Sequence, residues 1–359
     1  MSLSVVIAGG GTGGHLYPGL AVARALQARL PDAVVTFVGT AAGIEARVIP
    51  REGFPLALIR SAGLKGKSLA AVLRAVVLLP LSAWDSWRAL SRLRPAVVVG
   101  VGGYSSGPVV LLAALRGIPT LLMEQNATPG LTNRLLARVV SAAAVTYPES
   151  ATVFGGRAFV SGNPVRAEFF ESPAVSPGHD DRAVNVLVFG GSQGAHAVNV
   201  AMVEAAPTLA QDGRLGVTHQ TGERDVEFVR ERYRSANLPA RVEPFLYDMQ
   251  KEMDAADVIV CRAGATTIAE VSAAGRAAIL VPLPTATDDH QRRNAEAMVA
   301  RAAAVMIEQR ELTGERLAHE VLALASDAER RLRLGTAARG LARPDAARVI
   351  VDRVLALAG

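Results

Sequence analysis

The stretch AGGGTGGH, residues 8–15, holds five glycines and ends on a histidine. Glycine lets a backbone approach a ligand or another chain closely. Imidazole, titrating near pH ~6.5, can accept a hydroxyl proton at physiological pH. Two chemistries fit: a dinucleotide resting on the loop, or a substrate alcohol that gives its proton to His15. Gly9, Gly11 and Gly14 satisfy the G-x-G-x-x-G spacing, but the dinucleotide reading also needs an acid at the end of the second strand for a ribose hydroxyl. That strand, VVTFVGT, ends on Gly39 and Thr40; Asp32 precedes it and Glu45 comes several residues later. The second anchor is missing, which favours the alcohol. His15 is expected just before a helix starting near Pro18, a residue suited to a first helical turn. The plain alternative is a histidine that only caps the helix or bonds the loop.

Two further loops rhyme with the first. GVGGYSSG and FGGSQGA each follow a Val/Ile-rich strand and precede a helix, so each could offer amides and a helix N-terminus to an anion. No metal site is evident: Asp180–Asp181 and Asp288–Asp289 sit in polar loops, and the six histidines lack ligand spacing. Paired glycosidase-like carboxylates are not evident either. The single cysteine, Cys261, excludes an internal disulfide and fits a reducing compartment.

These loops need a scaffold. The 359 residues, half of them hydrophobic, suggest two domains. Strands are predicted at 4–8, 34–38, 56–59, 96–101, 120–123 and 142–146. The rhythm restarts at 185–189, 216–220, 241–244, 258–261, 278–281 and 304–307, with helical patterns between. The Pro/Gly/Ser-rich segment 161–182 marks the boundary, giving domains 1–161 and 162–342. The fold class predicted is α/β, two doubly wound parallel-sheet domains facing a cleft, with chemistry in the loops at the carboxyl ends of the strands.

A net charge of +5 suits phosphate-rich ligands or an anionic membrane surface. Nucleic acid is disfavoured, since aromatics make up 4% of the chain and no basic segment is interleaved with them. The amino terminus runs straight into a strand, so no signal peptide is expected. The run after SAGLKGKS is interrupted by Arg74 and Pro80 and is too short to span a bilayer.

Seven segments, GGGTGGHLYPGLAVA, GVGGYSSGP, EQNATPGLTNR, GNPVR, GGSQGA, CRAGATTIAEV and DDHQRRNA, run in order over most of the chain. Together this set resembles the MurG family, bacterial glycosyltransferases that convert lipid I to lipid II in peptidoglycan synthesis. The resemblance implies a GT-B fold of two Rossmann-like domains and a C-terminal helix, within 343–359, packing back on the first. It implies UDP-GlcNAc as donor and lipid I as acceptor, with no cofactor and no metal. It further implies a peripheral protein on the cytoplasmic face of the plasma membrane, possible contact with cell-wall synthesis proteins, and a place in cell shape and division.

By the same resemblance His15 is the general base, with Glu124 and Tyr104 as further acceptor-side candidates. Donor contacts fall on Thr12, Gly13, Gly14, Asn126, Arg166, Ser192, Leu246 (through its backbone), Ala265, Thr266, Thr267, Ile268, Ala269, Glu270, Gln291 and Asn294. His290 competes with Gln291 for the sugar contact. The chemistry agrees: guanidinium forks hold two phosphate oxygens, and a carboxylate such as Glu270 can accept from both hydroxyls of a ribose diol. The plain reading of Glu270 is a first-turn acid favoured by the helix dipole. Lys65 and Lys67 would meet a lipid diphosphate or anionic headgroups. Leu73, Leu79, Trp84 and their neighbours Leu69, Val76, Val77, Leu81 and Trp87 would form a shallow apolar patch, unless the helix simply faces the core. Three alternatives share parts of the pattern: another GT-B enzyme such as a nucleotide-sugar epimerase, a non-catalytic sugar-nucleotide-binding membrane adaptor, and a dehydrogenase.

Overall fold

The computed structural model describes residues 2–61, 69–171, 183–191 and 194–359, the side chains of 69–77 and Thr287 excepted. The chain divides into two compact units, 1–165 with 343–359, and 166–342. The first is built on β1 (Ser4–Gly9), β2 (Val34–Gly39), β3 (Leu56–Leu58), β4 (Val97–Gly102), β5 (Thr120–Glu124), β6 (Ala142–Val145) and β7 (Ala158–Val160). The second is built on β8 (Val184–Phe189), β9 (Leu215–Gln220), β10 (Ala240–Glu243), β11 (Val258–Cys261), β12 (Ala277–Leu280) and β13 (Val305–Met306).

Both sheets are parallel and run outward in both directions from their first strand. The orders are β3-β2-β1-β4-β5-β6-β7 and β10-β9-β8-β11-β12-β13. In each sheet the winding reverses beside the first strand, between β1 and β4 and between β8 and β11. A crevice opens at the strand ends where this happens. The glycine loops therefore stand where ligands bind in such sheets. In the first unit, alternate residues of one strand feed opposite cores: Val5 and Ile7 face one, Val6 and Ala8 the other. Helices cover both faces, which is why these strands read as unbroken apolar runs.

Three details differ from the sequence expectations. The first helix spans Gly13–Arg29 with Pro18 inside it, so His15 belongs to its first turn rather than to the loop before it. Pro18 is tolerated because the residue four back, Gly14, lies at the helix start, where one missing bond interrupts little. Second, β7 is a three-residue strand added to the edge of the first sheet, too short to show alternation. Third, the division between units falls at Val165/Arg166. The last helix, Ala346–Ala358, lies against helix Gly13–Arg29, with Ile350, Val351 and Val354 in the core that holds Val5 and Ile7.

Candidate functional site

In the first unit the register between β1 and β4 slips after Ala8, so that Gly9 pairs with Gly102. This brings the loops after β1 and β4 together. A Cβ on Gly9 would lie 2.4 Å from the Gly102 carbonyl oxygen, and one on Gly103 would lie 2.5 Å from that of Gly10. Much of the glycine in these two loops thus serves their contact with each other, rather than a phosphate cradle. Glu45 completes the assembly. It is buried, accepts the Gly11 N–H at 2.7 Å with one oxygen, and with the other accepts the Thr40 N–H at 2.8 Å and hydroxyl at 3.0 Å. The acid that stands too late in sequence to hold a ribose thus reaches back and takes a loop amide for itself. That further weakens the dinucleotide reading of G-x-G-x-x-G.

His15 projects from the helix start beside these loops. Its Nδ1 lies 3.3 Å from Oε1 of Gln125, whose Nε2 donates to the Val101 carbonyl at 3.1 Å. The ring rests on Gly102, where a Cβ would stand 2.7 Å from Nδ1. Tyr104 passes over Gly11. Thr12 is the N-cap and Gly13 and Gly14 the first helical residues, so the positive helix end sits here.

Glu124, at the end of β5, is buried and saturated. One oxygen accepts the backbone N–H of Asn126 at 3.0 Å and its side-chain amide at 3.2 Å. The other accepts the Gly130 N–H at 3.0 Å and the Asn133 amide at 2.8 Å. This carboxylate folds the loop that carries Asn126. Four acceptor bonds leave it little capacity for a substrate proton.

In the second unit the predicted residues gather at the strand ends. Helix Ala265–Ala274 begins directly after β11, capped by Gly264, with Ala265, Thr266 and Thr267 in its first turn. No acid occupies that turn, so Glu270 lies beyond the reach that a dipole explanation requires. Glu270 keeps part of its surface open. Burial nevertheless pushes its carboxyl up to about 7, against the opposing pull of the Arg166 charge. Arg166 itself is held over the Phe169 ring at 5.0 Å and lies 3.9 Å from Glu168. The two residues singled out for phosphate and ribose therefore share one neighbourhood. Ile268 is buried and Ala269 partly so.

Gln220, unnoticed in the sequence, joins two parts of this region. Its Nε2 donates to the Gly191 carbonyl at 2.8 Å, and its Oε1 accepts the Leu246 N–H at 2.9 Å. Leu246 is buried, flanked by exposed Phe245 and Tyr247, whose rings pack edge to face at 5.0 Å. Gly194 adopts φ +74°, and a Cβ there would stand 1.8 Å from the Thr221 carbonyl oxygen. That carbonyl also accepts the Asn199 amide, which in turn bonds Asp225. His219, neutral because burial lowers its pKa to about 3, links Asn199 to Tyr233. A buried polar chain thus braces the loop.

Gln291 accepts the Leu283 N–H at 3.0 Å, and His290 starts the same helix. Asn294 departs from expectation. It has no exposed surface, and its amide donates to the Ala263 carbonyl at 3.3 Å. A direct sugar contact does not fit such a side chain; it orients the chain entering helix Ala265–Ala274. Ser192, Lys65, Lys67 and the side chain of Leu73 lie outside the described residues.

Helix Leu69–Leu93 leaves Leu79, Leu81, Trp84 and Trp87 exposed, the two indoles stacked at 5.5 Å. A purely core-facing helix would not do so. Arg60 grips Asp85 of this helix through two 2.7 Å bonds. Among the described residues no helix is long and apolar enough to cross a membrane, and no group of three or more His, Cys, Asp or Glu could hold a metal ion.

Residues 5–145 match the glycosyltransferase family 28 N-terminal domain and residues 185–350 its C-terminal domain. The chain is 48% identical to the UDP-N-acetylglucosamine–N-acetylmuramyl-(pentapeptide) pyrophosphoryl-undecaprenol N-acetylglucosamine transferase of Pelobacter propionicus, covering 98% of this chain and 99% of that one. Identity to the protein of the same name from Anaeromyxobacter dehalogenans is 50%, over 98% and 92%. Among solved structures, Acinetobacter baumannii MurG superposes with a TM-score of 0.79 at 34% identity, over 99% of both chains. A UDP-GlcNAc 2-epimerase from Neisseria meningitidis, solved bound to UDP-GlcNAc, scores 0.70 at 13% identity, a likeness of fold alone.

Proposed function

The chain belongs to this N-acetylglucosamine transferase family, within glycosyltransferase family 28 and its GT-B fold, and from that premise we propose how its residues carry out the transfer. The enzyme moves GlcNAc from UDP-GlcNAc to the C4 hydroxyl of the muramyl sugar of lipid I, giving the β1,4-linked disaccharide of lipid II. The hydroxyl oxygen attacks the anomeric carbon on the face opposite the diphosphate. The bond from that carbon to the phosphate oxygen breaks, its electron pair leaves with UDP, and the configuration inverts. His15 takes the hydroxyl proton, a role typically worth about 10²–10⁴ in rate. The observation that carries this reading is the held imidazole in the first turn of helix Gly13–Arg29, beside a loop whose Gly11 amide is already used internally.

On the donor side, Arg166, the loop 190–195 that includes Ser192, and the first-turn amides of helix Ala265–Ala274 meet the charge that builds on UDP. Glu270 accepts from the ribose diol. The Leu246 N–H already serves Gln220, so its carbonyl is the group offered to the uracil N3–H, and Phe245 and Tyr247 present ring faces to the base. Gln291 and Asn126 contact the sugar, with Thr12, Gly13 and Gly14 supplying amides. Glu124 acts through Asn126, and Tyr104 lines the acceptor side. Leu79, Leu81, Trp84 and Trp87, with Lys65 and Lys67, seat the protein peripherally on an anionic membrane, where lipid I resides.

The test is turnover of UDP-GlcNAc with a lipid I analogue, followed by assignment of the new linkage. A β1,4 disaccharide is expected. Epimerised or hydrolysed UDP-GlcNAc without transfer would replace this reading with that of another nucleotide-sugar enzyme.

A further inference from the structure

Gln125 is 2% exposed and its amide cannot turn over. Nε2 donates to the Val101 carbonyl at 3.1 Å; a flipped amide would set two oxygens against each other there. Oε1 is thereby aimed at Nδ1 of His15, 3.3 Å away. A neutral amide oxygen accepts and does not donate, so the ring nitrogen facing it must carry the proton. On the other side lies Gly102, at φ +96°, too close to the ring to bear a side chain. The imidazole is thus held by a fixed acceptor and by bare backbone.

We propose that Gln125 is the positioning residue of the reaction: it holds His15 in the Nδ1–H tautomer and so puts the basic lone pair on Nε2. The proposal rests on His15 being the base, and it adds which nitrogen acts and what decides it. A carboxylate at this place would favour the imidazole as its cation; an amide orients the ring without that attraction. Several titratable groups among the described residues of the surrounding elements have partners of their own or stand against the glycine loop. Glu45 is bound to Gly11 and Thr40, Glu124 to Asn126, Gly130 and Asn133, while Tyr104 lies over Gly11 and Tyr17 over Gly13.

The test uses the full-length enzyme with ¹⁵N-labelled histidine, reading the His15 ring nitrogens by long-range ¹H–¹⁵N correlation, with His15→Gln to assign them. In the unaltered enzyme above the His15 titration, a protonated Nδ1 and an unprotonated Nε2 are expected. Gln125→Met, which keeps the volume but removes the acceptor, should mix the tautomers. It should also lower kcat roughly 10- to 100-fold, up to the lower end of what a positioned base contributes, with the donor KM held within about threefold. Gln125→Glu, close in shape, should move the acid limb of the kcat/KM profile upward by about half a pH unit or more. An Nε2–H ring in the unaltered enzyme, or Gln125→Met with an unchanged ring spectrum, would overturn the proposal. The ring spectrum does not depend on turnover, so a failure of His15 as base would appear separately, as full kcat in a His15 variant.

Discussion

Burial pushes the Glu270 carboxyl up to about 7, so near neutrality the empty protein is a mixture of acid and carboxylate there. A diol donates two hydrogen bonds, which the carboxylate accepts and the protonated acid accepts less well. Below about pH 7, donor binding must first expel a proton, at a cost approaching tenfold per pH unit. Affinity for UDP-GlcNAc should therefore rise from pH 5.5 to about 7 and level off above it. Calorimetry with Glu270→Gln should show weaker binding and a flatter profile; a slope retained in that variant would belong to the diphosphate instead. The residue scale was only partly legible in sequence. His15 stands out by itself, as an imidazole closing a glycine loop, whereas Arg166 and Glu270 were reached through the family resemblance, with which their chemistry agrees. Gln125, Gln220 and the saturation of Glu124 did not, because a buried amide leaves no periodic or compositional trace and its partners are distant in sequence.

The parallel strands were readable because a strand buried on both faces must be a short apolar run. The start of helix Gly13–Arg29 was not, since Pro18 fits both a first turn and, with Gly14 four residues earlier, an interior one. Gly194 offers a test within the donor loop. An alanine would need a left-handed backbone, costing about 1–3 kcal/mol, and would strike the Thr221 carbonyl. Gly194→Ala should raise the donor KM at least about fivefold, the lower end of that range, while leaving the acceptor KM unchanged; equal donor KM values would remove the loop from the donor site. The exposed indoles of helix Leu69–Leu93 make a second prediction. At about 25 cal/mol per Å² of apolar surface buried, losing Trp84 and Trp87 together should weaken binding to phosphatidylglycerol-containing vesicles tenfold or more. Thermal stability should fall only modestly, because each side chain leaves about half of its surface in solvent. Vesicle co-sedimentation unaltered by the double substitution would show that the patch does not insert.

At the scale of the whole chain, the repeated strand rhythm announced two similar units; that the carboxyl terminus closes the core of the first was implied by the family resemblance rather than by the rhythm. Ile350 is fully buried there, so Ile350→Ala should destabilise the first unit by about 2–5 kcal/mol. UDP binding, a property of residues 166–342 in this account, should persist at temperatures where that unit is still folded. Calorimetric unfolding with and without UDP checks both statements. The division of labour itself is most directly tested by comparing His15→Ala with Glu270→Ala in steady-state transfer from UDP-GlcNAc to a lipid I analogue. The account predicts a kcat about 10²–10⁴ lower with little change in donor KM for the first, and mainly a raised donor KM for the second. A His15 variant that loses donor affinity but turns over normally once saturated would contradict it.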